Sequence, residues 1–178
     1  QRVTNPKVQL VAVNPYSVCR VRLDKNRVAQ VVTNYVTNAI KYTPQGTIEM
    51  GYEVVDAGIR LYVRDTGIGI PEEKKRKVFH RFEKLDEFAQ GTGLGLSICK
   101  AITESMGGSV GFESEYSRGS LFWVVLPCDP EVQMRRESNI AIGQNTGKDD
   151  LIRSGNQHSA LDRKTVLVVE DISSCLLY

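Results

Sequence analysis

Between residues 8 and 126 the spacing of apolar residues switches repeatedly between a period of two and a helical period, which no all-helical or all-strand architecture accommodates. Residues 8–13 and 18–23 read as strands, the second alternating apolar and polar side chains. Asp24 then has the character of a helix N-cap. Over residues 26–41 the residues Val28, Val31, Val32, Tyr35, Val36 and Ala39 fall on one helical face, and the helix stops before Pro44. Residues 46–55 and 58–64 read as strands joined at Asp56-Ala57, and the second runs into Asp65-Thr66-Gly67-Ile68-Gly69-Ile70-Pro71. A short helix is predicted over 71–82, followed by a polar stretch. Gly91-Thr92-Gly93-Leu94-Gly95-Leu96 then opens a second long helix that ends at Gly107-Gly108, and residues 109–115 and 120–126 close the pattern as strands. Hairpins mixed with helices predict an α/β (α+β) two-layer sandwich, a mixed β-sheet covered on one face by helices, and exclude a purely parallel doubly wound sheet.

Composition breaks after Pro127. From Asp129 to Arg163 there is no Phe, Tyr or Trp, and Gly, Asn, Gln, Ser and charged residues predominate. The expected organisation is therefore a domain over 1–128, a flexible linker over 129–163, and an apolar, strand-like segment over 164–178. The linker stretch Gly143-Gln144-Asn145-Thr146-Gly147-Lys148-Asp149 is a failed phosphate loop, one spacer short and with Asp where Ser or Thr would meet magnesium. With 23 basic against 21 acidic residues, the formal charge of +2 gives no electrostatic case for nucleic acid or a membrane surface. No apolar run approaches the roughly 20 residues of a membrane-spanning helix. Cys19, Cys99, Cys128 and Cys175 are scattered singly, without the spacing of a zinc site or the density of a disulfide scaffold, which fits a reducing cytoplasm.

Three segments carry recognisable chemistry. On the 26–41 helix, Asn34, Asn38 and Lys41 fall within an arc of about 60°, edging the apolar face. Carboxamide oxygens can ligate magnesium without adding charge, and an ammonium can neutralise a phosphate oxygen. A solvated helix face is the alternative. Asp65 stands at a strand end with its carboxylate able to accept from the exocyclic amino group of adenine, while Gly67 and Gly69 let the backbone approach a flat ring; a simple turn is the alternative. Gly91-Thr92-Gly93-Leu94-Gly95 lies where a loop enters a helix, a place that favours phosphate, but it lacks the Gly-x-Gly-x-x-Gly spacing of a dinucleotide fingerprint.

In combination and in this order, the segments resemble the catalytic and ATP-binding domain of sensor histidine kinases, which shares the ATP-binding fold of the gyrase, chaperone, histidine kinase and MutL superfamily. Asn34-Tyr35-Val36-Thr37-Asn38-Ala39-Ile40-Lys41-Tyr42-Thr43 resembles the family's N box, residues 65–71 its first glycine box, and residues 91–95 its second. Residues 78–84 resemble the phenylalanine box, and residues 119–127 the closing strand, so the resemblance covers about residues 7–127. It implies ATP and Mg2+ as cofactors. Carried onto this sequence, it gives Asn38 to magnesium with Asn34 assisting, Lys41 to the phosphates, Asp65 to the adenine amino group and Tyr42 to the adenine face. Gly67, Gly69 and Ile70 would line the base, and Thr92, Gly93, Leu94, Gly95 and Leu96 the phosphates. Lys84 and Arg81 match basic positions near a mobile lid, which Phe79 and Phe82 would anchor to the domain.

The resemblance implies transfer of the γ-phosphoryl group of ATP to a histidine on a separate dimerisation and phosphoacceptor domain. ATP-hydrolysing relatives place a general-base Glu four residues before the magnesium Asn, where this chain has Asn34, and an amide cannot take a proton from water. The alternatives are an ATP-binding module without kinase activity and an ATPase of the wider superfamily. The two histidines, His80 and His158, lack the acidic neighbour of the family's acceptor, so the acceptor is expected outside this chain. Residues 164–171, ending in Glu170-Asp171, resemble the first strand of a receiver domain, implying a hybrid kinase; an unstructured end, or an extra strand on an exposed sheet edge, is the alternative. A receiver and the dimerisation domain of the same protein are the partners implied, with a monomeric fragment and a dimeric, membrane-bound parent whose kinase portion is cytoplasmic.

Overall fold

The computed structural model describes residues 6–82 and 93–134, together with the strand backbone at 166–168. Strand β1 (Val8–Val13) and strand β2 (Tyr16–Arg22) precede helix α1 (Lys25–Tyr42). Asp24 caps α1, its carboxylate accepting from the amides of Asn26 and Arg27 at 3.0 and 3.1 Å, an interaction that typically contributes about 1 kcal/mol. Next come β3 (Gly46–Val55), β4 (Gly58–Asp65), the single turn α2 (Glu72–Lys75), α3 (Gly95–Ser105), β5 (Ser109–Glu115) and β6 (Gly119–Leu126). Two further strands follow, β7 (Glu131–Met134) and β8 (Val166–Val168).

The main sheet has the order β1-β3-β4-β6-β5, with β1 and β3 parallel and every other pair antiparallel. It is the mixed sheet predicted. Helices α1 and α3 lie together on one face, because alternate strand residues Ile48, Met50 and Tyr52 of β3, Ile59, Leu61 and Val63 of β4, and Phe122, Val124 and Leu126 of β6 are buried there. From above, α1 contributes Val28, Val31, Tyr35, Val36 and Ala39, and α3 contributes Cys99 and Ile102. An aromatic cluster closes the α3 end: Phe112 stacks on Phe122 with ring centres 5.6 Å apart, and Phe79 meets both edge-on.

On the opposite face Tyr62 and Trp123 are direct cross-strand partners flanked in register by Gly51 and Gly111. Each aromatic lies flat over its glycine, so that a Cβ on either glycine would run into the ring. Arg60 stacks on Trp123 at 4.6 Å from the ring centre and pairs with Glu53. Among the described residues these side chains cover the sheet's outer face, and no second helical layer lies on it.

Two expectations change. The helix predicted over 71–82 is one turn long: Lys77, Val78 and His80 donate to carbonyls three residues back, and the chain leaves helical geometry by Phe82, whose φ is 64°. Those tighter turns bring Val78 and Phe79 onto the core and leave Arg76, Lys77 and His80 exposed. The stretch read as linker begins with β7, which pairs antiparallel with one edge of β2 while β8 pairs with the other, forming a second sheet of order β7-β2-β8. Backbone pairing on an open edge needs no apolar face, so a composition lacking aromatic residues did not signal it.

Ile48 has no solvent exposure and sits where α1 meets the sheet. Ile48→Ala should lower unfolding free energy by about 2–4 kcal/mol, read as a reduced urea midpoint with an unchanged slope; a loss under about 1 kcal/mol would contradict the packing described.

Candidate nucleotide site

The site is assembled at one end of the sandwich by three segments that hydrogen bonds lock together. Strand β4 ends at Asp65, which is 7% exposed, and the chain then turns through Gly67 and Gly69 to Ile70. Asp65 Oδ1 accepts from the Gly67 amide at 2.9 Å. The Ile68 amide donates to the Tyr42 carbonyl at 3.0 Å, giving a partner to one of the last carbonyls of α1. Ser117 in turn donates to the Ile68 carbonyl at 2.8 Å, so the turn is held between the end of α1 and the β5–β6 hairpin. Thr66 adds a clasp to β3, its amide donating to the Thr47 carbonyl while its hydroxyl accepts from the Thr47 amide at 2.9 Å.

Two glycines are dictated by these contacts. A Cβ on Gly67 would collide with the Tyr42 carbonyl and stand 2.8 Å from Thr43 Oγ1, while Gly69 has a φ of 64° and faces the Glu115 carbonyl. The Thr43 hydroxyl is buried under this turn and has no hydrogen-bond partner among the described residues.

The carboxyl of Asp65 is held above its ordinary value of 3.8, chiefly by burial, with the Gly67 and Ser120 amides pulling the other way. Ionised, it is an acceptor with lone pairs beyond those the two amides use, suited to a donor such as an exocyclic amine. Ile70 is 1% exposed and forms the floor of the turn, its amide donating to Ser114 Oγ at 2.8 Å.

Helix α1 presents Asn34, Asn38 and Lys41 on successive turns. Asn34 and Asn38 are half-buried and Lys41 is exposed. A Cβ on Gly95 would lie 3.2 Å from Asn34 Oδ1, so this side chain is seated against the start of α3, where the Cys99 thiol donates to the Val31 carbonyl at 3.8 Å. Burial drives the Cys99 thiol up to about 12, leaving it an inert packing group. Lys41 Nζ lies over the ring of half-buried Tyr42, 5.0 Å from its centre.

Among the described residues no group of three or more His, Cys, Asp or Glu side chains gathers to hold a metal. A cation here would therefore depend on amide oxygens supplemented by phosphate and water oxygens. That donor set fits Mg2+, which retains waters and shares phosphates rather than filling an all-protein cage, with Asn38 and Asn34 as the residues that would hold it.

The third segment is the start of α3. Gly93 has a φ of 69°, and Leu94 occupies the N-cap without a side-chain cap, so among the described residues no side chain caps the first-turn amides that follow Gly95. Uncapped amides at a helix N-terminus suit a phosphate. Leu96 is half-buried against the core. The Phe82 amide donates to the Gly93 carbonyl at 3.0 Å, joining the two ends of the chain that flank residues 83–92. Lys84 and Thr92 lie outside the described residues. Phe79 packs on Phe112 and Phe122 as an anchor, whereas Phe82, expected to do likewise, is 73% exposed because its positive φ turns it out of the core.

Sequence reasoning missed Ser120 and Ser114, which support Asp65 from the neighbouring strands. Their role depends on cross-strand register, Asp65 opposite Ser120 and Ser120 opposite Ser114, and the only local signal was a serine at the start of the closing strand.

Because the folded Asp65 carboxyl binds its proton more tightly than the unfolded one, it subtracts stability as pH rises from the ordinary value through the raised one. The stability of Asp65→Asn relative to the unsubstituted chain should therefore increase across that window and level off above it, read from urea midpoints between about pH 3 and pH 7. A pH-independent difference would contradict the burial described.

Known proteins resemble this chain in sequence and fold. The family described as histidine kinase-, DNA gyrase B-, and HSP90-like ATPase matches residues 23–130. Sensor protein GacS of Pseudomonas syringae pv. syringae is 39% identical over 130 residues, covering 67% of this chain and 14% of that protein. Sensor protein SrrB of Staphylococcus aureus is 41% identical over 120 residues, 63% of this chain and 21% of that one. The chain thus spans less than a quarter of either relative. Among solved structures, full-length ShkA in complex with AMPPNP superposes with a TM-score of 0.64 at 28% identity, over 70% of this chain and 26% of that one. The catalytic domain of histidine kinase ThkA, nucleotide free, gives 0.55 at 35% identity over 68% and 79%. With its family match covering more than half its length and its mixed sheet built in the same way, the chain belongs to the histidine kinase-, DNA gyrase B- and HSP90-like ATPases and carries the ATP-binding domain found in sensor histidine kinases.

Proposed function

We propose that this domain binds Mg-ATP between α1, the 65–70 turn and the start of α3, and transfers the γ-phosphoryl group to a histidine on a separate dimerisation and phosphoacceptor domain in two-component signal transduction. The bond between the γ-phosphorus and the β–γ bridging oxygen breaks, a phosphorus–nitrogen bond to imidazole forms, and ADP leaves. Such transfer requires positioning and charge neutralisation more than covalent help from the protein. In this reading Asp65 accepts from the adenine amino group, Tyr42 flanks the base, Lys41 and Lys84 meet the phosphates, and Asn38 with Asn34 holds Mg2+.

The observation that carries the choice of transfer over hydrolysis is Asn34. Its amide is seated against Gly95 at the position where hydrolytic relatives carry a general-base Glu, and it cannot deprotonate water. The proposal extends to a cytoplasmic location, a homodimeric parent formed through its dimerisation domain, and a hybrid kinase whose receiver begins near Lys164. The last point is supported by the resemblance of residues 164–171 alone, since β8 pairs with β2 as an added edge strand.

The test is to mix the chain with labelled Mg-ATP and a dimerisation domain from the parent protein. Acid-labile, base-stable label on that domain is expected. Nucleotide binding without transfer would leave a binding module, and rapid phosphate release without transfer an ATPase. Asp65→Asn should weaken ATP binding by about tenfold or more, and Asn38→Ala should remove the magnesium-dependent part of the affinity, both by titration calorimetry with and without Mg2+. Unchanged affinity in both variants would overturn the site assignment.

A further inference from the structure

Asp65 is one member of a row. Ser120 stands directly opposite it on β6, and Ser114 directly opposite Ser120 on β5. Directly opposed residues share a face, so a carboxylate and two hydroxyls lie side by side at the base end of the site. Ser114 Oγ makes three contacts: with the Ile70 amide at 2.8 Å, the Gly119 carbonyl at 2.9 Å and Ser120 Oγ at 3.0 Å.

A serine hydroxyl has one proton and two lone pairs. An amide N–H can only donate and a carbonyl can only accept, so the Ser114 proton is committed to Gly119 and one of its lone pairs to Ile70. The remaining contact is then made by the proton of Ser120, given to the second lone pair of Ser114. Ser114 is saturated. Ser120 Oγ, its proton spent, has only lone pairs left for anything else in the site, and the ionised carboxylate beside it is likewise an acceptor.

We propose that Ser114 is a positioning residue for base selection: by fixing the Ser120 proton it makes the row at the base end acceptor-only, favouring a purine with a 6-amino donor over one with a 6-oxo acceptor. The proposal rests on the reading of this site as a nucleotide site with its base at Asp65. Ser114 acts through Ser120 without touching the base. With Ala at 114 the Ser120 hydroxyl is released, can turn, and can donate to a 6-oxo group.

The experiment compares the affinities of the full chain for ATP and ITP, which share ribose and phosphates and differ in the 6-substituent and the N1 proton that accompanies it. The unsubstituted chain should prefer ATP. Ser114→Ala should narrow the ATP-to-ITP ratio by about five- to tenfold, Ser120→Ala should narrow it similarly, and Ser114→Thr, which keeps the hydroxyl, should preserve it. A purely structural role for Ser114 would weaken both nucleotides equally, and an unchanged ratio in folded Ser114→Ala overturns the proposal. Should Ser114→Ala fail to fold by circular dichroism, an unchanged ratio in Ser120→Ala overturns it equally. If the unsubstituted chain binds neither nucleotide, or both alike with Asp65→Asn without effect, the nucleotide reading itself fails and this inference with it.

Discussion

The hydrogen bond from the Ile68 amide to the Tyr42 carbonyl is the contact on which the site depends. It joins the last turn of α1 to the turn after β4, and it forms only because Gly67 brings its backbone against that carbonyl with no side chain between them. Through it, the face of α1 bearing Asn34, Asn38 and Lys41 and the carboxylate of Asp65 are held in one fixed relation. A base near Asp65 and a polyphosphate running toward α3 would then span a distance set by backbone packing, and positioning of that kind is what phosphoryl transfer asks of a protein.

The second constraint is the seating of Asn34 on α3. The absence of a Cβ at Gly95 lets the helix start approach the Asn34 side chain of α1, and Cys99, whose thiol donates to the Val31 carbonyl, is fully buried between the helices. Three glycine positions therefore do different work: Gly67 admits a carbonyl, Gly69 adopts a positive φ against the β5–β6 hairpin, and Gly95 admits a side chain. Spacing alone could not separate these roles, because each is defined by the segment that approaches from elsewhere in the chain.

Most of the main sheet was legible in the sequence because local periodicity and local caps agreed. Asp24 and Pro44 bracket α1, and the alternation in β4 and β6 specifies which side faces the helices. What escaped was determined by long-range or backbone-only interactions. The chain after the single turn of α2 is held by the long-range packing of Phe79 on Phe112 and Phe122, and β7 and β8 by backbone pairing on the two edges of β2. The Ser120–Ser114 row was invisible for the same reason, since only register places two ordinary serines beside Asp65. The chemically specific residues Asn34, Asn38, Lys41 and Asp65 could be picked out because their side-chain types are unusual in combination, even where each alone is ordinary.

The central claim is that one nucleotide bridges the 65–70 turn and the start of α3. Titrating Mg-AMPPNP into isotope-labelled chain and following backbone amide resonances tests it most directly. The account predicts that the amides of Gly67, Ile68 and Ile70 and those of Gly95, Leu96 and Ser97 shift together along a single saturation curve. Perturbation of only one group, or two curves with different midpoints, would contradict it.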